Sequence, residues 1–237
     1  MSFLHALFQS TPDIDPDLEA RVGRWRALPE PTPSTRIDDA RFVVIDVETT
    51  GLDVHRSELL SVGLVPVYMD GAVLGGLTEI LMRRENNGFS KDNLVVHGIT
   101  PTESASGVDT EEALTRVLEH VEKSWLVAFH ADFDRAMLGR AVRRHLGVKL
   151  SNTFLDMAWL LPALFTESTK NLQGLDDWLG HFGIPAPARH RASGDALVTA
   201  ELLLMALAEA HRQGIRDVRD LVKLAVAQSK LHGFMRH

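Results

Sequence analysis

The chain has 237 residues, of which 45% are hydrophobic and 24% are charged, and its formal net charge is −7. This composition is typical of a soluble globular protein with one large domain, or one domain with extensions. The negative charge argues against a protein that coats nucleic acid through a broad basic surface, but it is compatible with an enzyme that grips only a chain end. The absence of cysteine excludes disulfides and thiolate metal sites and fits a reducing cytoplasm.

Neither the N-terminus nor the longest apolar stretch has the features of a secretion signal or a membrane segment. Residues 1–8 lack a basic segment, and their apolar run is too short for a signal peptide. Residues 196–210 are interrupted by Glu201 and Glu209, which predicts a core helix and no membrane span. A cytoplasmic location is therefore expected.

Residues 1–36 are interpreted as an N-terminal extension. A short amphipathic helix is predicted by apolar residues at helical spacing, namely Leu18, Val22, Trp25 and Leu28. The proline-rich segment 28–34 ends this helix and is typical of a linker. The helix can dock on its own core or on a partner, and docking on its own core is the preferred interpretation.

Residues 37–212 show the alternation of an α/β domain, and residues 213–237 are interpreted as a C-terminal helical tail. A first strand starts near residue 41, and further elements are predicted as strands at 59–67, 74–82, 125–129 and 153–155 and helices at 111–122 and about 133–146. The first three strands have short connections and should be antiparallel neighbours, whereas the later βαβ units should add parallel strands. A mixed sheet with helices on its faces is expected.

The first strand carries two acids near its C-terminal end. Side chains alternate along a strand, so Asp46 and Glu48 project from the same face. Two like charges repel, and partial burial adds a desolvation cost, so such a pair persists when a cation lies between the carboxylates. The alternative is that the strand frays here and both acids are solvated. The end of a strand in an α/β sheet is a usual place for a site.

A third candidate acid lies where a strand passes into a helix. Asp134 is expected near the start of the helix that follows residues 125–129. Capping or compensation of the helix dipole is the alternative explanation for an acid in this position. Asp132 is the better candidate for the cap, which leaves Asp134 with less local reason to be acidic.

The segment before the last long helix adds a histidine and a fourth acid. His190 and Asp195 are five residues apart, and on one continuous helix they would lie roughly 140° apart. If both serve one site, His190 must lie on the loop before the helix and Asp195 in its first turns. Taken alone, His190 is better explained as a surface loop residue.

Four carboxylates and one histidine suit a defined chemistry. Carboxylates select hard cations such as Mg²⁺ or Mn²⁺. Two such metals about 3.5–4 Å apart can activate a water and stabilise the leaving oxygen of a phosphodiester. A neutral imidazole can accept the proton of that water.

These segments together resemble the DEDDh, or DnaQ-like, 3′–5′ exonucleases, a family that includes the proofreading epsilon subunit of bacterial DNA polymerase III. The first family motif resembles residues 46–51 (Asp-Val-Glu-Thr-Thr-Gly), the second resembles Phe133-Asp134, and the third resembles residues 190–195, an H-x-A-x-x-D pattern. Residues 96–100 also resemble a segment common in the family. The resemblance covers about residues 41–210.

The resemblance implies a ribonuclease H-like fold with a central five-stranded mixed sheet. It implies that two metals are held by Asp46, Glu48, Asp134 and Asp195, and that His190 is the general base. It further implies that the terminal nucleotide is lined by Thr49, Thr50, Gly51 and Leu52, with His97 and Asp92 near the same nucleotide. For His97, a polar loop residue is an equally weighted alternative.

The second motif departs from the family pattern. Many members have His-Asn where this chain has Phe129 and His130. The metal acid Asp134 is retained, whereas the asparagine itself is replaced, which leaves its contacts open. His130 either substitutes for these contacts or only packs.

The expected function is a metal-dependent 3′–5′ exonuclease that releases nucleoside 5′-monophosphates, with DNA favoured and single strands preferred. Trimming of RNA 3′ ends is the close competitor, and a catalytically dead module that binds nucleic acid or scaffolds a complex is the alternative from another class. Residues 228–234 loosely resemble peptides that bind the sliding clamp, although a frayed helix end is the preferred interpretation. A polymerase partner is not identified by the sequence.

Overall fold

This computed structural model describes residues 14–84, 99–166, 172–186 and 190–234. The strands are β1 Phe42–Thr49, β2 Leu59–Tyr68, β3 Gly71–Ala72, β4 Thr78–Leu81, β5 Trp125–Ala128 and β6 Phe154–Asp156. The helices are α1 Pro16–Ala27, α2 Pro101–Ala105, α3 Thr110–Val121, α4 Ala131–Leu146, α5 Met157–Leu164, α6 Leu175–Phe182, α7 Ala192–Arg212 and α8 Val218–Phe234. Short 3₁₀ turns lie at Ile37–Asp39 and Leu74–Gly76.

The described strands form one mixed sheet with five positions. Both β3 and β4 pair with the same edge of β2, and the order continues through β1 and β5 to β6. Strand β2 runs antiparallel to its neighbours, whereas β5 and β6 run parallel to β1. The expected meander followed by parallel strands is confirmed.

The predicted third strand at 74–82 is wrong in its first half. The chain forms a 3₁₀ turn at Leu74–Gly76 and pairs with β2 only at β3 and β4. The consecutive glycines Gly75 and Gly76 offer no side chain that could pack on the sheet, so they favour a turn over a strand.

Strand β1 is central and buried on both faces. Phe42 and Val44 face a core formed with α5 to α8, whereas Val43 and Ile45 face a core formed with α1, α3 and α4. The alternation places Asp46 and Glu48 on the face of Phe42 and Val44, under α7. Both cores are therefore built by the same strand that carries the acid pair.

Helix α1 packs on α3 of its own chain, as preferred from the sequence. Arg21 forms ion pairs with Glu112 and Glu119, each at 2.6 Å, and the Trp25 indole donates to the backbone oxygen of Glu122 at 2.8 Å. Trp25 itself is 3% exposed. Burial of this aromatic side chain, more than the ion pairs, is what stabilises the docked helix.

The linker after α1 pairs with the chain that leads into α8. The backbone N–H of Ile37 donates to Arg216, and that of Val218 donates to Thr35. Residues 228–234 form the last turns of α8, where the rings of Trp159 and His232 lie 5.2 Å apart. The domain boundaries at 36 and 212 remain predictions.

Among the described helices, none combines the length and the apolar character that a bilayer crossing requires.

Candidate active site

Three of the predicted acids meet at the C-terminal end of β1. Asp46 and Glu48 of β1 and Asp195 of α7 each offer a carboxylate oxygen, and these oxygens lie within 4.8 Å of one another. Glu48 is 6% exposed and Asp195 is 8% exposed. Carboxylates this close and this buried repel one another, and a hard divalent cation between them would remove that cost. The all-oxygen donor set fits Mg²⁺ or Mn²⁺.

A glycine on β2 allows α7 to reach the acid pair. Gly63 lies opposite Asp46 in the β1–β2 register. A Cβ atom at position 63 would lie 2.1 Å from the backbone oxygen of Ala192 and 2.6 Å from the backbone nitrogen of Ser193. The first turn of α7 therefore rests directly on the sheet, which brings Asp195 to the acids of β1. We did not identify Gly63 from the sequence, although a lone glycine in an apolar strand often marks close backbone approach.

His190 lies on the loop before α7, where the five-residue spacing predicts it. It is exposed, its φ is 63°, and its backbone N–H donates to Oδ2 of Asp195 at 3.3 Å. Asp195 itself lies in the first turns of the helix. The loop therefore holds the His190 backbone against Asp195 and leaves the side chain exposed, while its role as a base stays a prediction.

Asp134 lies beside this group but is not part of the three-acid cluster. It lies in the first turn of α4, is 5% exposed and interacts with the backbone of Val47 on β1. Burial raises the pKa of Asp134 to about 8, and the charge of Asp156 adds to this effect. The contact with Val47, which lies between Asp46 and Glu48, places Asp134 next to the acid pair.

Asp156 is an acid of this region that the sequence analysis missed. Its Oδ1 accepts hydrogen bonds from the backbone N–H of His130 at 3.0 Å and of Ala158 at 2.9 Å. One carboxylate thus joins the N-termini of α4 and α5, and burial raises the pKa of Asp156. An acid between a short strand and an apolar helix is a capping signal that could have identified it.

The segment after β1 exposes a large apolar side chain. The Thr49 hydroxyl donates to the backbone oxygen of Gly51 at 2.8 Å, and the Thr50 hydroxyl accepts from the backbone N–H of Glu58 at 2.9 Å. These bonds fix a turn in which Leu52 is 87% exposed. A leucine presented to solvent by a fixed turn can pack against a ligand, but its contact with a nucleotide stays a prediction.

Of the three remaining residues predicted to contact the nucleotide, the structure describes only His130. His130 is exposed, has a φ of 61° and places its ring 5.0 Å from that of Phe129. His97 and Asp92 lie outside the described residues. No contact of His130 with a substrate is established by this geometry.

Sequence comparison identifies an exonuclease family model and relatives among bacterial DNA polymerase III proteins. The RNase T family model, described as exonuclease, matches residues 43–203. The chain is 31% identical over 187 residues to the PolC-type DNA polymerase III of Thermotoga maritima, covering 78% of this chain and 13% of that protein. It is 29% identical over 189 residues to DNA polymerase III subunit epsilon of Aquifex aeolicus, covering 78% of this chain and 90% of that protein. The chain thus spans only a small part of the PolC-type relative.

Solved structures share the fold at low sequence identity. Exonuclease I of E. coli in complex with a dT13 oligonucleotide superposes with a TM-score of 0.61 at 18% identity, covering 73% of this chain and 42% of that one. The nuclease domain of 3′hExo, a DEDDh family member bound to rAMP, gives a TM-score of 0.60 at 15% identity, covering 71% and 92%. These likenesses confirm the ribonuclease H-like fold.

The family model covers more than half of the chain, and its range includes the segments of all three motifs. The protein therefore belongs to the DEDDh, or DnaQ-like, family of 3′–5′ exonucleases.

Proposed function

We propose that this protein hydrolyses the terminal phosphodiester at the 3′ end of a DNA single strand and releases a nucleoside 5′-monophosphate. The observation that carries the proposal is the convergence of Asp46, Glu48 and Asp195 within 4.8 Å, with His190 on the adjoining loop. The catalytically dead module is disfavoured because all four acids and the histidine are present.

Asp46, Glu48, Asp134 and Asp195 would hold two divalent cations, Mg²⁺ or Mn²⁺. When bound, such cations supply charge that stabilises the phosphate and lowers the pKa of a water. Without metal, burial raises the pKa of Asp134 to about 8, which favours the protonated carboxyl. It would therefore release its proton on binding a cation.

His190 would accept the proton of the attacking water. Its exposure leaves the imidazole free to exchange that proton with solvent, and its backbone bond to Asp195 fixes the loop relative to the acids. The terminal nucleotide would lie against Leu52 and the Thr49–Gly51 turn, which is presented at the end of β1. A pocket for one terminal nucleotide explains both exonucleolytic action and a preference for unpaired ends.

DNA is favoured because the epsilon subunit and the PolC-type polymerase are relatives, and because exonuclease I shares the fold in complex with dT13. RNA remains the competitor, since the 3′hExo domain bound to rAMP has the same fold. A DNA polymerase is the proposed partner, by similarity to the same relatives. Binding to a sliding clamp through residues 228–234 and a cytoplasmic location remain predictions.

A release assay on 3′-labelled single-stranded DNA and RNA tests the proposal. We expect labelled mononucleotide from DNA with Mg²⁺ or Mn²⁺, little with Ca²⁺ and none with EDTA, because Ca²⁺ coordination is looser. The matched control is Asp46→Ala, which removes a ligand and relieves repulsion. It should be inactive and, without metal, at least as stable as the wild type.

Four outcomes would contradict the proposal. Metal-independent release by Asp46→Ala would exclude the metal assignment. Cutting of a covalently closed circle would exclude action from an end. Faster release from RNA than from DNA would replace the proposed substrate by its competitor, and inactivity on both, with binding retained, would favour the catalytically dead module.

A further inference from the structure

A row of three residues crosses the sheet beneath the start of α7. Asp46 on β1 pairs with Gly63 on β2, and Gly63 pairs with Glu79 on β4. Directly paired residues of adjacent strands point to the same face, so Asp46 and Glu79 flank the position where α7 rests on Gly63. The start of the helix thus has an acid on each side, one in the candidate active site and one at the sheet edge.

Glu79 accepts hydrogen bonds from two side chains at the N-terminus of α7. Its Oε2 accepts from the Arg191 Nε at 3.0 Å and from the Ser193 Oγ at 2.7 Å. Arg191 also reaches Glu103 of α2, at 3.3 Å. The Arg191 guanidinium therefore ties the residue next to His190 to two other elements.

This attachment differs from an ordinary surface ion pair. The Glu79 side chain is only 11% exposed, so its charge is largely removed from water and depends on Arg191 and Ser193 for stabilisation. The pKa of Arg191 is raised, with the hydrogen bond to Glu79 as the main cause. The bond geometry and the covered position make this contact a fixed constraint on the loop.

We propose that Glu79 is a positioning residue for His190, acting through Arg191 and Ser193. The proposal rests on the proposed function, because it assigns to Glu79 the orientation of the general base. Glu79 touches neither the substrate nor the three-acid cluster in this assignment. Removing it would release the Arg191 side chain and the Ser193 hydroxyl, and with them the His190 loop, while the contact of the Ala192 backbone with Gly63 keeps α7 and Asp195 in place.

Glu79→Ala tests the proposal. We expect kcat to fall by about 10- to 100-fold because a displaced base loses most of its effect, with KM changed by less than about 3-fold. Mn²⁺ affinity from calorimetric titration should change by less than about 3-fold, since the metal acids keep their places. Amide hydrogen exchange in peptides covering residues 190–196 should become faster, and this readout is independent of activity.

A double-mutant cycle separates positioning from general weakening. His190→Asn removes the base while tolerating the left-handed backbone at this position. In that background, Glu79→Ala should change kcat by less than about 2-fold, because the group that it positions is absent. The matched control is Glu209→Ala, which removes a carboxylate paired with Arg212 at the other end of α7 and should leave kcat unchanged.

Unchanged kcat and exchange in Glu79→Ala would overturn the proposal. An equal loss of kcat in the wild-type and His190→Asn backgrounds would also overturn it, as would a loss of Mn²⁺ affinity that accounts for the lower rate. Failure of the proposed function can be told apart from failure of this proposal. If the proposed function is wrong, the wild type releases no nucleotide, independently of the amide hydrogen exchange measured in Glu79→Ala.

Discussion

His130 and His190 each adopt a left-handed backbone conformation, with φ of 61° and 63°. His130 immediately precedes α4 and His190 lies two residues before α7, and each of these helices carries a candidate metal acid. Asn, Asp and His are the non-glycine residues found most often in this conformation, which costs other L-residues roughly 1–2 kcal/mol. The backbone requirement explains why His130 can replace the asparagine that is common in the second family motif.

Substitution at position 130 tests this backbone requirement. His130→Val should lower the free energy of unfolding by about 1–2 kcal/mol, because a β-branched residue is strained at positive φ. His130→Asn should stay within about 0.5 kcal/mol of the wild type. Urea denaturation of the three proteins, with comparable m-values, checks the difference, and equal stability of the two variants would contradict it.

The buried carboxyl of Asp134 predicts a pH dependence of stability without metal. Its pKa is 3.8 in the reference state and about 8 in the folded state. Between these values the folded state holds a proton that the unfolded chain has released, so the contribution of Asp134 to the free energy of unfolding falls as pH rises. Asp134→Asn lacks this titration. In EDTA, the stability of Asp134→Asn relative to the wild type should increase from pH 4 to pH 8.

Chemical denaturation across this pH range measures the difference between the two proteins. Other titrating groups are common to both chains and largely cancel. A difference that stays constant from pH 4 to pH 8 would show that Asp134 remains ionised in the folded protein. A saturating concentration of Mn²⁺ should reverse the order of stability above neutral pH, because only the wild type keeps this ligand.

At the scale of elements, the candidate site depends on how α7 is seated. The helix approaches β2 so closely that a Cβ atom at Gly63 would overlap the backbone of Ala192. Asp156 links α4 and α5 in a similar way, because its carboxylate accepts from the residue before α4 and from the second residue of α5. The two candidate acids outside β1, Asp134 on α4 and Asp195 on α7, are thus positioned by contacts between their helices and other elements.

Gly63→Ala should displace the first turn of α7. Because the overlapping atoms belong to the backbone, we expect the free energy of unfolding to fall by about 1–3 kcal/mol. Mn²⁺ affinity should fall by about 10-fold, as Asp195 moves away from the acids of β1. The control is Gly139→Ala in α4, where the added Cβ meets nothing within 4 Å. It should be stabilising and leave Mn²⁺ binding unchanged. Wild-type metal affinity in Gly63→Ala would contradict the seating argument.

At the scale of the whole molecule, charge limits how the protein can hold its substrate. The net charge of −7 disfavours an extended track of phosphate contacts, so binding should rely on the metal site and a few side chains near the chain end. In helix α1, the Arg21 guanidinium is already paired with Glu112 and Glu119 and is not available for such a track.

The dependence of binding on salt measures the number of phosphate contacts. With Ca²⁺ in place of Mg²⁺ to suppress cleavage, the plot of log K against log salt for a single-stranded oligonucleotide should have a slope shallower than about −3, which corresponds to about four contacts. Fluorescence anisotropy between low and high salt checks this value. A slope steeper than about −6 would indicate an extended basic track and contradict the end-binding arrangement.

Features that depend on residues close together in the chain could be predicted from the sequence. Strand alternation put Asp46 and Glu48 on one face, and helical rotation put His190 on the loop before the helix that carries Asp195. The structure agrees with both placements. These predictions succeed because the residues of each pair are only two or five positions apart. Once the strand or helix is assumed, its geometry fixes their relative placement.

The distant residues that hold these groups in place became apparent only in the folded protein. Gly63 leaves room for the backbone of Ala192. Asp156 accepts a hydrogen bond from the backbone of His130, and Glu79 accepts one from the side chain of Arg191. None of these relations follows from local spacing, since each arises where two elements far apart in the chain come into contact. The break in the third strand was missed for a related reason: β2 decides where the chain between Gly71 and Leu81 can pair. Periodicity is a property of one segment, whereas clearance and hydrogen bonding between segments exist only after the chain has folded.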